Sequence, residues 1–304
     1  MPKSAHVITA IGTPLDEQEN LHQEGLERHL ADQWSAGIDG ILVAGSMGVM
    51  QMLRDRTYRA LVERASQLSR DRGEILVGVG DAGWARTCDR IEAVSQYVID
   101  GVVVLTPYLF QFSQQQLVEY FLAIADVSPV PVYLYDLPVL TGAALEFDTY
   151  VAVARHPNIR GAKVSGRLAF ARELMQHFGD GFRIIVAEPD KVDTLLSEGI
   201  MSHLDGMFAI APQWIMKITS AAAEQDWARA ADYQRKLNTL RDALLTAPSD
   251  MGAFTAMMNA RDIPGKFHPA PYPALDTEAR RALVSSPIMC DLLESGSAAR
   301  KVIA

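Results

Sequence analysis

The chain has 304 residues, enough for one large domain or two of ordinary size, and its 49% hydrophobic fraction can fill a sizeable core. The net charge of −9 and the isoelectric point of about 5.3 argue against a nucleic-acid-binding surface, which needs a basic patch. No apolar run reaches the roughly 18–20 residues of a membrane-spanning helix, and the N-terminal residues lack the apolar core of a signal peptide. We therefore expect no nucleic-acid or membrane partner.

Cysteine and histidine usage points away from metal and disulfide chemistry. Cys88 and Cys290 lie far apart and form neither a CxxC pair nor a metal-ligand spacing. The seven histidines are scattered and form no HExxH pattern. We expect reduced thiols, a cytoplasmic location, no metal and no cofactor.

Short apolar segments alternate with amphipathic segments over the first 210 residues. The predicted strands are residues 6–10, 40–44, 75–79, 102–105, 130–135, 159–164, 182–187 and 203–210. The predicted helices between them are residues 23–34, 55–68, 86–99, 113–125, 147–155, 168–177 and 190–198, with Ser113 as an N-cap. Continuous apolar strands separated by helices predict a parallel sheet that is covered on both faces.

Eight such units fit a (β/α)₈ TIM barrel. A doubly wound open sheet is the alternative, but the first βα turn lacks the GxGxxG of a dinucleotide-binding fold. After Pro212 the pattern becomes helical, with helices predicted over residues 214–225, 226–245, 251–259 and 277–284. We therefore predict a barrel over residues 1–211 and a helical C-terminal region over residues 212–304, which covers one end of the barrel or forms a subunit contact.

Lys163, in Gly161-Ala162-Lys163-Val164-Ser165-Gly166, lies at the carboxyl end of the sixth predicted strand. A lysine at this position is costly to bury unless its charge is relieved or paired. An amine held in such a place can attack a carbonyl and form an imine. The alternative is an ordinary exposed lysine at a strand edge.

Other reactive side chains also follow predicted strands, and in a barrel the active site gathers at the carboxyl ends of the strands. These residues are Gly45, Ser46 and Met47 after the second strand, Tyr135 in the fifth, Ser165 after the sixth and Glu188 after the seventh. Each has a structural explanation as well. The glycine fits a tight turn, the tyrosine is a good strand former, and the serine and glutamate can cap helices.

Together these groups predict one chemistry. Lys163 forms an imine with a 2-oxo acid, while the loop amides and the Ser46 hydroxyl hold its carboxylate. Tyr135 transfers a proton during cleavage or formation of a carbon–carbon bond. The protonated imine serves as the electron sink, so the reaction needs no metal.

Several segments carry a resemblance to a known family over most of the chain. They are Thr13-Pro14-Leu15-Asp16, Gly45-Ser46-Met47-Gly48, Leu105-Thr106-Pro107-Tyr108, Tyr133-Leu134-Tyr135-Asp136-Leu137-Pro138 and Asn158 to Gly166. In this order they resemble the motifs of the dihydrodipicolinate synthase / N-acetylneuraminate lyase family of class I aldolases.

The resemblance implies a TIM barrel with a helical C-terminal region, usually assembled as a homotetramer. It places Lys163 on the Schiff-base lysine, Tyr135 on the catalytic tyrosine and Ser46 on the first hydroxyl of the carboxylate-binding loop. Ser165 falls where sugar-acid lyases use a hydroxyl near the substrate chain, and Glu188 falls where acidic residues bind substrate hydroxyls.

Four positions depart from the pattern of the synthases. The second loop hydroxyl is replaced by Met47, and the loop glutamate by Val49. Leu109 stands at the position of the tyrosine that a neighbouring subunit supplies. Leu140 stands at the position of the arginine that binds the semialdehyde carboxylate. Because leucine cannot pair with a carboxylate, the sequence argues against the dihydrodipicolinate synthase reaction itself.

Three functions stay open at this point. The first is a Schiff-base lyase that cleaves or forms a carbon–carbon bond in a 2-oxo acid, with a pyruvate-type donor and a keto-deoxy sugar acid as the first substrate class to test. The second is a keto-deoxy sugar acid dehydratase that uses the same imine. The third is a non-catalytic homologue that binds a small acid. The turn around Trp84 and the Phe208–Pro212 segment match no specificity pattern, and both could reshape the pocket.

Overall fold

The computed structural model describes residues 4–303, with side chains described for residues 4–295. Within this range eight parallel strands close into a barrel in sequence order, and β8 pairs with β1. The strands are β1 (His6–Ala10), β2 (Gly40–Val43), β3 (Glu74–Gly78), β4 (Gly101–Leu105), β5 (Val132–Asp136), β6 (Ile159–Ser165), β7 (Arg183–Ala187) and β8 (Ser202–Asp205). The predicted TIM barrel is confirmed, and the open sheet is excluded because the sheet has no edge strand.

Helices surround the barrel and continue beyond it. In the described part of the chain they are α1 (Gln23–Ala36), α2 (Asp55–Ser69), α3 (Trp84–Val94), α4 (Gln114–Val127), α5 (Pro138–Thr141), α6 (Phe147–Val153), α7 (Leu168–Phe178), α8 (Val192–Ser197), α9 (Met207–Ile210), α10 (Pro212–Ala223), α11 (Trp227–Leu245), α12 (Asp250–Ala260), α13 (Thr277–Val284) and α14 (Pro287–Ile303). Ser113 caps α4 as predicted, in a capping box with Gln116.

The strands are apolar throughout because both of their faces are buried. Side chains that alternate along each strand fill the barrel interior, among them Ile8, Leu42, Leu76 and Ile185. The residues between them pack against the outer helices. Because successive side chains of a strand point to opposite faces, every second residue of β5 and β6 points into the barrel.

The amino-terminal end of the barrel is closed by charged side chains. Arg183 Nη1 lies 2.7 Å from a carboxylate oxygen of Glu74, and His6 Nε2 lies 2.9 Å from the other. Burial by itself would raise the pKa of Glu74, but the contacts with His6 and Arg183 hold it below its usual value. This cluster stabilises the end of the barrel opposite to the predicted site.

The prediction of a strand over residues 203–210 was wrong in its second half. The strand ends at Asp205, whose carboxylate accepts the backbone N–H of Met207 at 2.8 Å, and the chain turns into α9. Phe208 and Ile210 are fully buried against the C-terminal helices. A short apolar run fits a buried helix as well as a strand, so its hydrophobicity could not separate the two.

The C-terminal helices pack onto the barrel without a break in the core. The fully buried Trp214, Phe254 and Phe267 belong to an apolar cluster that also contains Val7 and Ile38 of the barrel. In addition, α10 contacts both α1 and α8 in the outer ring of helices. The division into residues 1–211 and 212–304 stays a prediction, and residues 1–3 and 304 lie outside the described residues.

Three helices were not predicted from the sequence, namely α5, α9 and α14. The first two have four residues each, too few for a periodic pattern to be recognised. Among the described residues, no helix combines the length and the apolar character that crossing a bilayer requires.

Candidate active site

A cavity of about 400 Å³ opens at the carboxyl ends of the strands. Its floor includes Lys163, Tyr135 and Ser46, and its walls come from the loops after β5, β7 and β8. Side chains from α11 and α12 cover one side. A TIM barrel places its reactive groups at this end, and here the C-terminal helices contribute to the wall.

Three predicted residues form a continuous hydrogen-bonded chain on the floor of this cavity. Lys163 Nζ donates to the hydroxyl of Tyr135 at 2.8 Å, and that hydroxyl lies 3.0 Å from Ser46 Oγ. Because the phenolic oxygen accepts from the lysine, its own hydrogen is free to be donated to Ser46. The amine, the phenol and the serine hydroxyl can therefore exchange protons without moving apart.

The pairing of β5 with β6 explains this contact. Tyr135 and Lys163 are direct neighbours in the register of the two strands, and both side chains point into the barrel. Lys163 is only 4% exposed and forms no salt bridge with any described residue. Among the described residues its amine therefore has the Tyr135 hydroxyl, and no carboxylate, within contact distance.

The loop after β2 holds Ser46 at the cavity. Thr13 Oγ1 donates to the carbonyl of Gly48 at 2.7 Å and ties this loop to the segment after β1. In the described chain, the backbone amides of Ser46 and Met47 donate to no other group and are free to hold an anion. Gly45 lies beneath the loop, where a Cβ would come within 2.9 Å of Leu42, and it does not line the cavity.

Met47 lies at the cavity wall, where the family pattern has a hydroxyl. Its side chain packs on Gly206 after β8, and a Cβ on that glycine would come within 2.6 Å of it. The methionine therefore fills space between the ends of β2 and β8, and Ser46 carries the only hydroxyl of residues 45–48.

A buried ion pair links the ends of β5 and β6. Arg167 Nη1 lies 2.5 Å from the carboxylate of Asp136, which also accepts from the Tyr150 hydroxyl at 3.1 Å and from the N–H of Leu145. Burial raises the pKa of Asp136 even though Arg167 opposes the shift. Because Asp136 follows Tyr135, this pair fixes the strand end that carries the phenol.

Two carboxyl groups line the cavity after β7 and β8. Burial is the main cause of the raised pKa of Glu188, and Asp190 and Asp205 add to it. Burial also raises the pKa of Asp205, while the charges of Lys163 and Arg241 oppose the shift. Both carboxyls can therefore hold a proton at higher pH than an ordinary acid.

Ser165, which was predicted from its place after Lys163, also lines this cavity. Its hydroxyl is buried and has no hydrogen-bond partner in the described residues. A buried hydroxyl usually has a partner, so this one is available to a bound molecule. The structure therefore brings Ser165 and Glu188 to the same cavity as Lys163.

Sequence reasoning missed the contributions from other parts of the chain. They are Val139 of α5, Asp205 and Met207 after β8, and Arg241, Leu244, Met251 and Phe254 of the C-terminal helices. Asp205 could have been recognised as an acid at the carboxyl end of an apolar strand. The predicted strand ran to residue 210, however, and so placed Asp205 in its interior. No local pattern indicates that α11 and α12 reach the barrel opening.

Three features discussed from the sequence do not line the cavity. Leu109 is 81% exposed and has a left-handed backbone with φ of 77°, so its side chain does not enter the cavity of its own chain. Trp84 begins α3, and the Phe208–Pro212 segment is buried under the C-terminal helices. Neither of these two reshapes the cavity directly.

The chain is similar to known proteins in sequence and in fold. Residues 3–286 match the Dihydrodipicolinate synthetase family. A 4-hydroxy-tetrahydrodipicolinate synthase of Exiguobacterium sp. is 28% identical over 239 residues, which are 78% of this chain and 82% of that protein.

Two solved structures share the fold. A prophage protein of E. coli K12 from the dihydrodipicolinic acid synthase family, in complex with pyruvate, has a TM-score of 0.86 at 23% identity and covers 96% of this chain and 98% of its own. A Ruminococcus gnavus sialic acid aldolase, solved as a catalytic lysine mutant, has a TM-score of 0.86 at 18% identity and covers 99% and 98%.

Proposed function

Because the chain belongs to the Dihydrodipicolinate synthetase family, we propose that it is a Schiff-base lyase that cleaves or forms a carbon–carbon bond in a 2-oxo acid. The observation that carries this proposal is the chain of hydrogen bonds from Lys163 through Tyr135 to Ser46. The pyruvate bound to the E. coli family member supports a pyruvate-type donor. Keto-deoxy sugar acids are the first substrates to test.

The first step is formation of the imine. The Lys163 amine attacks the C2 carbonyl, and the carbonyl oxygen leaves as water after it takes up protons through the Tyr135 hydroxyl. The Ser46 hydroxyl and the free amides of its loop hold the C1 carboxylate. The imine nitrogen carries a positive charge, so it can take up the electron pair of a bond that breaks at C3 and return it when a bond forms there.

Cleavage follows from this imine. The C4 hydroxyl gives its proton to the Tyr135 oxygen, the C3–C4 bond breaks, and its electron pair enters the protonated imine to give an enamine. An aldehyde leaves, C3 takes up a proton, and water releases the 2-oxo acid from Lys163. The reverse sequence forms the bond.

The dihydrodipicolinate synthase reaction itself is not our proposal. Leu109 replaces the tyrosine that completes the proton relay in the synthases, and Leu140 replaces the arginine after β5. Leu140 lines the cavity as an apolar, mostly exposed side chain. The tyrosine missing at Leu109 is the stronger argument against the synthase reaction. The arginine missing at Leu140 is the weaker one, because another element of the fold can bring a cation to the same cavity.

The carboxyl groups of Glu188 and Asp205 support dehydration as a second candidate. In that reaction C3 of the same imine gives a proton to the Tyr135 oxygen, which forms an enamine. The enamine electron pair then makes a C3–C4 double bond and restores the imine, while the C4 hydroxyl takes a proton from one of these carboxyls and leaves as water. Burial raises the pKa of both carboxyls, which favours the protonated form that a proton donor needs. Product analysis separates the two reactions, because cleavage gives two carbon fragments and dehydration gives one.

Borohydride trapping with pyruvate and a panel of 2-oxo acids tests the shared chemistry. We expect a reduced adduct on Lys163, found by intact mass and peptide mapping, and its loss in Lys163→Ala. Lys236→Ala is the matched control, because Lys236 is on α11 and pairs with Asp291 at 2.7 Å. A native protein that forms no adduct with any 2-oxo acid contradicts the proposal and favours the non-catalytic, small-acid-binding homologue.

We also propose that the protein forms a homo-oligomer, either a dimer or a tetramer, and that it is cytoplasmic. Both proposals rest on the family resemblance. The exposed Leu109 and Phe110 follow β4 and support a subunit contact at this loop. Sedimentation equilibrium measures the assembly directly, and a monomer at micromolar concentration contradicts it.

A further inference from the structure

One arginine of the active-site cavity has no hydrogen-bond or ion-pair partner among the described residues. Arg241 of α11 lines the cavity together with Lys163 and Tyr135. Its guanidinium forms no hydrogen bond or ion pair with any other group in the part of the chain that the structure describes. It is partly buried, and its charge acts on Asp205.

The acidic groups of the same cavity do have partners. Glu188 lies 3.8 Å and Asp190 3.5 Å from Lys191, so one lysine offsets both carboxylates. The Asp205 carboxylate accepts the N–H of Met207 at 2.8 Å, and burial favours its protonated form. Asp250, which also lines the cavity, accepts the N–H of Met251 at 2.7 Å.

Arg241 and the groups proposed to hold the 2-oxo acid come from different elements of the fold. Ser46 and the loop amides lie after β2, whereas Arg241 reaches the cavity from α11 in the C-terminal region. Apolar side chains also line this cavity, among them Leu140, Leu244 and Met251. A substrate fixed at Lys163 can therefore extend past apolar contacts toward a positive charge.

We propose that Arg241 binds an anionic group, a carboxylate or a phosphate, at the far end of the substrate. The inference rests on the proposed Schiff-base function and narrows its substrate class to 2-oxo acids with a second anionic end. A guanidinium binds such oxyanions through two parallel N–H donors, and it cannot lose its charge near neutral pH. The cation that Leu140 does not supply after β5 is thus supplied by a different element of the fold.

The test compares matched 2-oxo acids in borohydride trapping. One series is 2-oxoglutarate, 2-oxoadipate and 2-oxopimelate; the other is 2-oxopentanoate, 2-oxohexanoate and 2-oxoheptanoate, which have the same lengths without the second carboxylate. Phosphonate analogues of each length distinguish a phosphate preference from a carboxylate preference. The readout is the concentration of each acid that gives half-maximal adduct.

We expect at least one length at which the anionic acid is trapped at about 10- to 100-fold lower concentration than its neutral counterpart. Arg241→Gln should remove that preference. Arg235→Gln should keep it, because Arg235 lies on the same helix but is exposed and pairs with Asp232. A thermal melt of each variant confirms that it is folded.

Two results overturn the inference: no preference for an anionic end at any length, or a preference that survives in Arg241→Gln. Both require adducts to form, so they are distinct from failure of the Schiff-base function, in which pyruvate and every acid of the panel give no adduct. A preference for the phosphonate series supports the inference and identifies phosphate as the distal group.

Discussion

Replacement of Arg167 by alanine should destabilise the protein in a pH-dependent way. The Asp136 carboxylate is fully buried, and Arg167 lies 2.5 Å from it. Removing one member of a buried ion pair typically costs 3–5 kcal/mol, because the remaining charge has no counterion. Tyr150 and the N–H of Leu145 still donate to Asp136, so we expect a loss of about 3 kcal/mol at pH 8.

The pH dependence follows from the pKa of Asp136, which burial already raises. Without Arg167 the pKa rises further, so the folded variant binds a proton at a pH where the unfolded chain has lost it. Lowering the pH therefore favours the folded variant over its unfolded state. The loss of stability relative to the native protein should be smaller at pH 5 than at pH 8.

Urea denaturation at the two pH values measures both effects. Arg172→Ala is the matched control, since Arg172 lies on α7, the helix that Arg167 precedes, and forms an exposed pair with Glu198 that should contribute less than about 1 kcal/mol. The double variant Arg167→Ala/Asp136→Asn should lose the pH dependence. A loss for Arg167→Ala no larger than that for Arg172→Ala, or one that is equal at both pH values, would refute this reasoning.

Two further predictions concern opposite ends of the barrel. Tyr135→Phe should lower turnover by about two to four orders of magnitude, because general acid–base groups contribute that much to the rate. Lys163 should still form an adduct with pyruvate in this variant. Steady-state rates measure turnover and borohydride trapping measures the adduct, and undiminished turnover contradicts the proton-transfer role. Glu74→Gln should reduce stability by about 1–3 kcal/mol at pH 7 without changing KM. The pKa of Glu74 is lowered in the folded protein, so its ionised carboxylate stabilises the native state at pH values above its unfolded pKa. This stabilisation disappears as the pH falls through the folded pKa. If denaturation curves show that Glu74→Gln loses the same stability at every pH, the ion pair with Arg183 is not the cause.

The sequence determined the barrel and the reactive floor of the cavity, because both depend on local signals. Apolar strands and helical periodicity recur along the chain, and a strand end is a place that can be read from the sequence. Lys163, Tyr135 and Ser46 follow or end such strands, and the structure brings all three into one hydrogen-bonded chain. The sequence did not show that the Ser165 side chain points into the barrel, because that depends on the register of β6 with β7.

Tertiary structure decided the walls and the supports of the cavity. Asp136 and Arg167 are 31 residues apart, and their pairing depends on how the ends of β5 and β6 come together. Arg241 and Phe254 reach the cavity only because α11 and α12 fold back over the barrel opening. Hydrophobic periodicity shows which face of a helix is buried but not which surface buries it, so the far end of the substrate site could be located only in the folded chain.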